Sequence, residues 1–123
     1  GGGGIPVART PDGLEVGVEA VVDKDLASSL LARDLGADAL ILATDVDGVY
    51  AGWGTPQQRL LDHPTAAELG RLDLAVGSMG PKAQAALAFL EHGGSRAAIG
   101  ALEEVDALVA GTAGTQLSRA PGR

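Results

Sequence analysis

The chain contains no cysteine. Disulfide staples and thiolate chemistry are excluded, and a reducing, cytoplasmic setting is the default expectation. Aromatic residues are nearly absent too: Tyr50, Trp53 and Phe89 are the only ones. So few rings cannot build a platform on which successive bases stack. Positive charge is also scarce, with 9 basic against 16 acidic residues and a formal net charge of −7. A surface of that sign repels a phosphate backbone, so nucleic acid is not an expected partner. No apolar run is long enough to cross a bilayer and no secretory pattern opens the sequence, so no membrane partner is expected.

What is present is ordinary for a globular domain: 123 residues, 46% apolar and 20% charged, enough for one core. An acidic chain can still hold an anion where positive potential is built locally, from glycine turns, helix N-termini or placed cations. The cations are unevenly chosen. Lys24 and Lys82 are the only lysines among the 9 basic residues, and each stands at the start of an expected helix beside a special turn. A compact ammonium can follow a moving phosphoryl group, whereas a guanidinium is a flat fork.

The chain opens on Gly1-Gly2-Gly3-Gly4, a run that can converge backbone amides on an anion or act as a flexible end. Pro11-Asp12-Gly13 marks a turn, and Val16 to Val22 reads as a strand. A helix is expected from about Asp25 to Leu35, with Asp25 as N-cap, Leu26, Ser29, Leu30 and Arg33 at helical spacing, and Gly36 as a left-handed stop. Ala39 to Ala43 is an unbroken apolar run, as in a strand buried on both faces of a parallel sheet. Thr44-Asp45-Val46-Asp47-Gly48-Val49-Tyr50 leaves that strand, with Asp47-Gly48 as a turn pair. Thr65-Ala66-Ala67-Glu68 is a capping box. Gly77-Ser78-Met79-Gly80-Pro81-Lys82 is a second glycine turn leading into a helix that stops at Gly93-Gly94. A short strand at Ala97-Ala98-Ile99, a helix over 101–110, a last strand at Thr115-Gln116-Leu117 and a frayed tail over 118–123 complete the reading.

Strands alternating with helices imply a three-layer αβα sandwich with a mostly parallel sheet. In such folds ligands gather at the C-terminal ends of the strands. The glycine run, Asp23-Lys24-Asp25, the Thr44–Asp47 loop and the Gly77–Lys82 turn are therefore expected at one edge. Taken alone, Asp23-Lys24-Asp25 suits a solvated helix cap as well as an aimed cation, and Asp45 and Asp47 suit turn hydrogen bonding as well as a site. Tyr50 and Trp53 suit either an adenine or plain packing, and Met79 suits the core. His63 and His92 lack metal-ligand spacing.

In order along the chain stand GGGGIPV, VEAVVDKDLAS, TDVDGVY, GSMGPKAQAALAFLEHGG and GTAGTQL. This order and spacing closely resembles the carbamate kinases of the amino acid kinase family. TDVDGVY and MGPK are shared more widely, including with N-acetylglutamate kinase; DKD and GGGGIPV point to carbamate kinase. The likeness covers residues 1–117 and implies the C-terminal, nucleotide-binding part of that fold, with Gly1 to Gly4 matching a mid-chain glycine loop. It implies reversible phosphoryl transfer between ATP and carbamate, giving carbamoyl phosphate and ADP, with Mg2+ held mainly by the nucleotide phosphates, and a setting in arginine breakdown. It implies Lys24, Asp25 and Lys82 as catalytic residues, Gly1, Gly2, Gly3 and Gly4 on the phosphate or carbamate, and Thr44, Asp45, Asp47, Tyr50, Met79 and Gly80 beside the nucleotide. A homodimer is a further expectation from the family. The alternatives are another small-acid kinase of the same fold, such as N-acetylglutamate kinase, and a non-catalytic nucleotide-binding remnant.

Overall fold

The computed structural model describes residues 4–71 and 79–119. Gly1, Gly2, Gly3, the turn residues Gly77 and Ser78, and residues 120–123 of the expected tail lie outside that set.

The first element is a hairpin of β1 (Val7–Arg9) and β2 (Glu15–Gly17), antiparallel with Val7 opposite Gly17. The Pro11-Asp12-Gly13 turn closes it: Thr10 N–H donates to Leu14 O at 2.8 Å and Gly13 N–H to Thr10 O at 2.9 Å. The strand expected from Val16 to Val22 is thus realised only in part. Val18 to Val22 form no ladder, and Val21 is 96% exposed. A β-branched run becomes a strand only where a neighbour takes its backbone groups, and after Val18, whose N–H donates to Pro6 O at 3.2 Å, no described neighbour does so here.

Helix α1 (Lys24–Asp34) follows, and its N-cap is Asp23 rather than Asp25. Asp23 has extended backbone angles, and its Oδ1 accepts from Asp25 N at 2.8 Å and Leu26 N at 3.0 Å. Two aspartates one residue apart cannot both stand where the chain enters the helix; the first takes the cap and the second turns inward. At the other end Gly36, with φ of 67°, donates to Arg33 O while Ala37 N donates to Ala32 O. This is the paired closure that a left-handed glycine permits.

One sheet organises the rest: β3 (Ala39–Thr44), β6 (Arg96–Ala101) and β7 (Thr115–Ser118), in the order β3-β6-β7. β3 and β6 are parallel, with Leu40 opposite Ala97 and Leu42 opposite Ile99; β7 returns antiparallel, with Leu117 opposite Ala97. Between β3 and β6 run a small hairpin of β4 (Tyr50–Ala51) and β5 (Arg59–Leu60), then α2 (Ala66–Arg71) and α3 (Met79–Glu91). Thr65 Oγ1 accepts Glu68 N–H at 3.0 Å, which caps α2. A 3-10 turn (Leu102–Glu104) leads into α4 (Val105–Ala110), so the helix expected over 101–110 is shared between two windings.

The layers follow from register. Leu40, Leu42, Ala97, Ile99 and Leu117 share the face covered by α1 and α3, where they join Phe89, Ala85, Ala86 and Ala32 in the core. The opposite face receives Leu108 of α4 against Gly100. The result is the α/β sandwich of three layers that the alternation predicts. β3 is covered unevenly: Leu40 and Leu42 are buried, but Ile41 is half-buried and Ala43 exposed. β7 includes Ser118, and Arg119 N–H donates to Ser95 O at 3.1 Å.

Candidate active site

Chain connectivity brings the expected site together. A short turn joins α1 to β3, so the helix runs back along its strand. Eleven helical residues rise about 16 Å and six strand residues about 20 Å, so the start of α1 returns to the level of Thr44. Helix α3 precedes β6 in the same way, and β6 is parallel to β3, so Met79 to Lys82 reach the same edge.

There α1 and α3 meet through side chains. Lys82 Nζ lies 3.5 Å from Asp25 Oδ2, with both side chains under one-tenth exposed. Lys24 Nζ lies 3.8 Å from the same oxygen, but its side chain is 63% exposed. One carboxylate is thus shared by two ammonium groups, one fixed and one free to move. The three groups sum to one formal positive charge in a chain of net −7.

The small inward face of α1 makes this approach possible. Its buried residues are Asp25, Ser29 and Ala32, one helical stripe, while Leu26 and Leu30 are 38% and 49% exposed. The leucines and Arg33 of the expected stripe therefore do not form the packed face. Small side chains on α1, against an α3 whose buried residues include Ala83, Ala85 and Ala86, let the two helices come close enough for an aspartate to reach a lysine. The first amides of α1 are already engaged: Asp25 N and Leu26 N by the Asp23 carboxylate, Ala27 N by Asp23 O. An anion at this edge is met by lysine side chains more than by α1 backbone.

The remaining expected residues form a second group. Thr44 Oγ1 donates to Asp45 Oδ1 at 3.2 Å, and both stand where β3 ends. Tyr50 donates its hydroxyl to Asp47 Oδ2 at 3.3 Å and meets Trp53 edge to face, ring centroids 5.1 Å apart. Partial burial, and then the Asp47 carboxylate, raise the Tyr50 phenol above its ordinary pKa. Trp53 is 65% exposed, so much of its side chain is open to solvent. Met79 and Gly80 are half-buried in the first turn of α3, next to Lys82. Of the glycine run only Gly4 is described; it has φ of 96°, and an added Cβ would meet nothing within 4 Å.

Among the described residues, no group of three or more His, Cys, Asp or Glu could hold a metal ion. A groove of about 910 Å³ lies at the far end of α3, lined in part by Leu87, Leu90 and His92, away from the lysines.

The contacts of one buried residue escaped sequence reading. Thr115, which the sequence offers as part of a last short strand and of the GTAGTQL motif, is fully buried. Its hydroxyl accepts from Val49 N at 2.8 Å and donates to Leu61 O at 2.6 Å. The partners are 66 and 54 positions away, so a local motif could include the residue but could not name what it binds.

Residues 2–101 match the profile of the amino acid kinase family. The carbamate kinase of Rhizobium meliloti is 49% identical over 120 residues, which are 96% of this chain and 37% of that protein. The carbamate kinase of Escherichia coli K12 is 50% identical over 118 residues, with 96% and 38% covered. Among solved structures, carbamate kinase from Giardia lamblia bound to AMP-PNP matches with a TM-score of 0.88 at 36% identity, covering 96% of this chain and 42% of that one. The chain spans about two fifths of the length of these relatives. On the profile match through most of its length, from the glycine run to the end of β6, the chain belongs to the amino acid kinase family.

Proposed function

We propose that this chain carries the nucleotide side of a carbamate kinase. The reaction is reversible: a carbamate oxygen bonds to the γ-phosphorus of ATP as the bond to ADP breaks, giving carbamoyl phosphate and ADP. The observation that carries the reading is the convergence of Lys24 and Lys82 on Asp25 at the start of two helices. Phosphoryl transfer needs little covalent help from protein; it needs alignment and positive charge where the moving group spreads its negative charge. Lys82, buried and held, supplies a fixed charge. Lys24, exposed, can follow the group. Asp25 keeps both aimed.

The likeness to carbamate kinases at about half identity supports the choice of acceptor. In this reading Thr44, Asp45, Asp47, Met79 and Gly80 border the nucleotide, Tyr50 and Trp53 offer ring surface to the adenine, and Gly1 to Gly4 lie against phosphate or carbamate. Magnesium arrives with the nucleotide. The carboxylate nearest the lysines, Asp25, already faces two ammonium groups, so the donor set does not suit a protein-held ion and the phosphates carry the metal. The reading extends to a cytoplasmic homodimer serving arginine breakdown. Absence of cysteine accords with a reducing compartment, and no helix among the described residues is long and apolar enough to cross a membrane.

Calorimetry of magnesium–ADP against residues 1–123, with Lys24→Ala and Lys82→Ala beside the wild type, tests the reading. Weak binding by the wild type, diminished in both variants, is expected. ATP formation from carbamoyl phosphate and ADP is expected to be absent, because Gly1 to Gly4 and the two lysines cover only part of a site that must hold two reactants in line. Binding unchanged in Lys24→Ala, whose exposed side chain makes it safe to remove, would defeat the assignment.

A further inference from the structure

We propose that the Thr115 hydroxyl is a positioning device for the nucleotide loop. It fastens both limbs of the segment from Val49 to Leu61 to the end of β7, and so sets where Tyr50 and Trp53 stand. The role in nucleotide binding rests on the functional reading above; the fastening itself does not.

The path of the loop carries the inference. It leaves β3 at Thr44 and must cross the end of β6 to reach β7, since the strand order is β3-β6-β7. It crosses where β6 has no side chain: a Cβ on Gly100 would stand 3.1 Å from Asp47 O. It lands on Thr115, where a Cβ on Gly48 would meet Thr115 Oγ1 at 2.8 Å and Thr115 N at 3.0 Å. Gly48 has no positive φ, so the position requires the absence of a side chain rather than an unusual backbone. Immediately after this contact, Val49 N donates to Thr115 Oγ1 at 2.8 Å, and the same hydroxyl donates to Leu61 O at 2.6 Å. A hydroxyl has one proton to give, and here it is spent on one limb while a lone pair takes the other. Two backbone bonds complete the seam: Leu61 N to Val49 O at 2.9 Å and Gln116 N to Asp62 O at 2.7 Å.

Val49 and Thr115 are both fully buried, so water cannot replace the hydroxyl. Tyr50 follows Val49 directly, donates to Asp47 on the other side of Gly48, and stacks its edge on Trp53. The fastened residue therefore sits between the groups that the nucleotide reading uses. A buried threonine governs how the adenine side is presented, through backbone and without touching ligand.

Trp53 is the only tryptophan, so its fluorescence reports the loop with no ligand present. Thr115→Val keeps shape and removes the hydroxyl; Thr115→Ser keeps the hydroxyl. We expect Thr115→Val, folded by circular dichroism, to change acrylamide quenching of Trp53 and to weaken magnesium–ADP binding by about tenfold, the scale of one neutral hydrogen bond. Thr115→Ser is expected to stay within about twofold of wild type, well inside that scale. If Thr115→Val does not fold, Gly48→Ala supplies the perturbation, since its new methyl displaces the loop while the hydroxyl remains. Unchanged Trp53 quenching in the folded perturbed variant overturns the inference, as does equal loss in Thr115→Val and Thr115→Ser. Altered quenching with wild-type ADP affinity overturns the positioning role. A wild type that binds no ADP, with Trp53 moved in Thr115→Val and restored in Thr115→Ser, refutes the nucleotide reading and upholds the fastening.

Discussion

Substituting Asp25 by asparagine isolates the charge in the buried pair. The cap of α1 is untouched, because Asp23 supplies it. Asparagine has nearly the same volume, so no cavity opens. What is lost is the anion 3.5 Å from an ammonium whose side chain is 8% exposed. At that separation and an effective dielectric of about 20, the attraction is about 5 kcal/mol. Removing one partner of a buried pair costs about 3–5 kcal/mol in practice, since the remaining charge is stranded. Lys24 adds little on the stability side, because its head group is in water. Against a typical total of about 5–15 kcal/mol, the variant should unfold at clearly lower denaturant. The assay is urea unfolding followed by Trp53 fluorescence and circular dichroism, extended to a cycle with Lys82→Met. With the ammonium also gone, the double variant should recover about 2 kcal/mol or more of the loss, a coupling typical of residues in contact. A stability for Asp25→Asn within about 0.5 kcal/mol of wild type, or an additive cycle, would refute this account of the pair.

Gly94→Ala should cost about 1–3 kcal/mol, because the new methyl would overlap the ring edge of Phe89, itself 1% exposed; a thermal melt that does not move would contradict the packing described. Tyr50 titrates above its ordinary value, so the folded state keeps the phenolic proton longer than the unfolded one. The stabilisation is therefore present below the ordinary tyrosine pKa and fades as pH rises through the raised one. Asp47→Asn should bring the titration of this only tyrosine down towards its ordinary value, read from tyrosinate absorbance; an unchanged titration would dismiss the Asp47 carboxylate as a cause.

Local chemistry was legible and long-range pairing was not. The turn at Pro11-Asp12-Gly13, the stop at Gly36, the cap at Thr65 and the layered alternation all rest on residues within a few positions of one another. The same nearness misled at Asp23-Lys24-Asp25, where two aspartates offered equally good caps and only the approach of α3 shows why the second faces inward. Val16 to Val22 has the composition of a strand, but strand formation depends on a partner that composition does not name. The leucines of α1 drew attention to the wrong face, since the buried face is made by Asp25 and the smaller Ser29 and Ala32. Among the described candidate residues, Lys24, Asp25 and Lys82 meet across two motifs, whereas Thr115, inside GTAGTQL, finds its partners more than fifty positions away.

The unequal burial of the two lysines also makes them unequal targets for reagents. An acylating ester needs a free, reachable amine, and among side chains the protein offers it only Lys24 and Lys82. Lys24 stands 63% open, whereas Lys82 is enclosed and held against a carboxylate. Brief treatment should therefore mark Lys24 and spare Lys82, a difference that peptide mass mapping reads directly. A bound polyphosphate would cover the exposed amine and slow its modification. Ligand occupancy then becomes measurable as a labelling rate at one position, with the enclosed lysine as the internal reference.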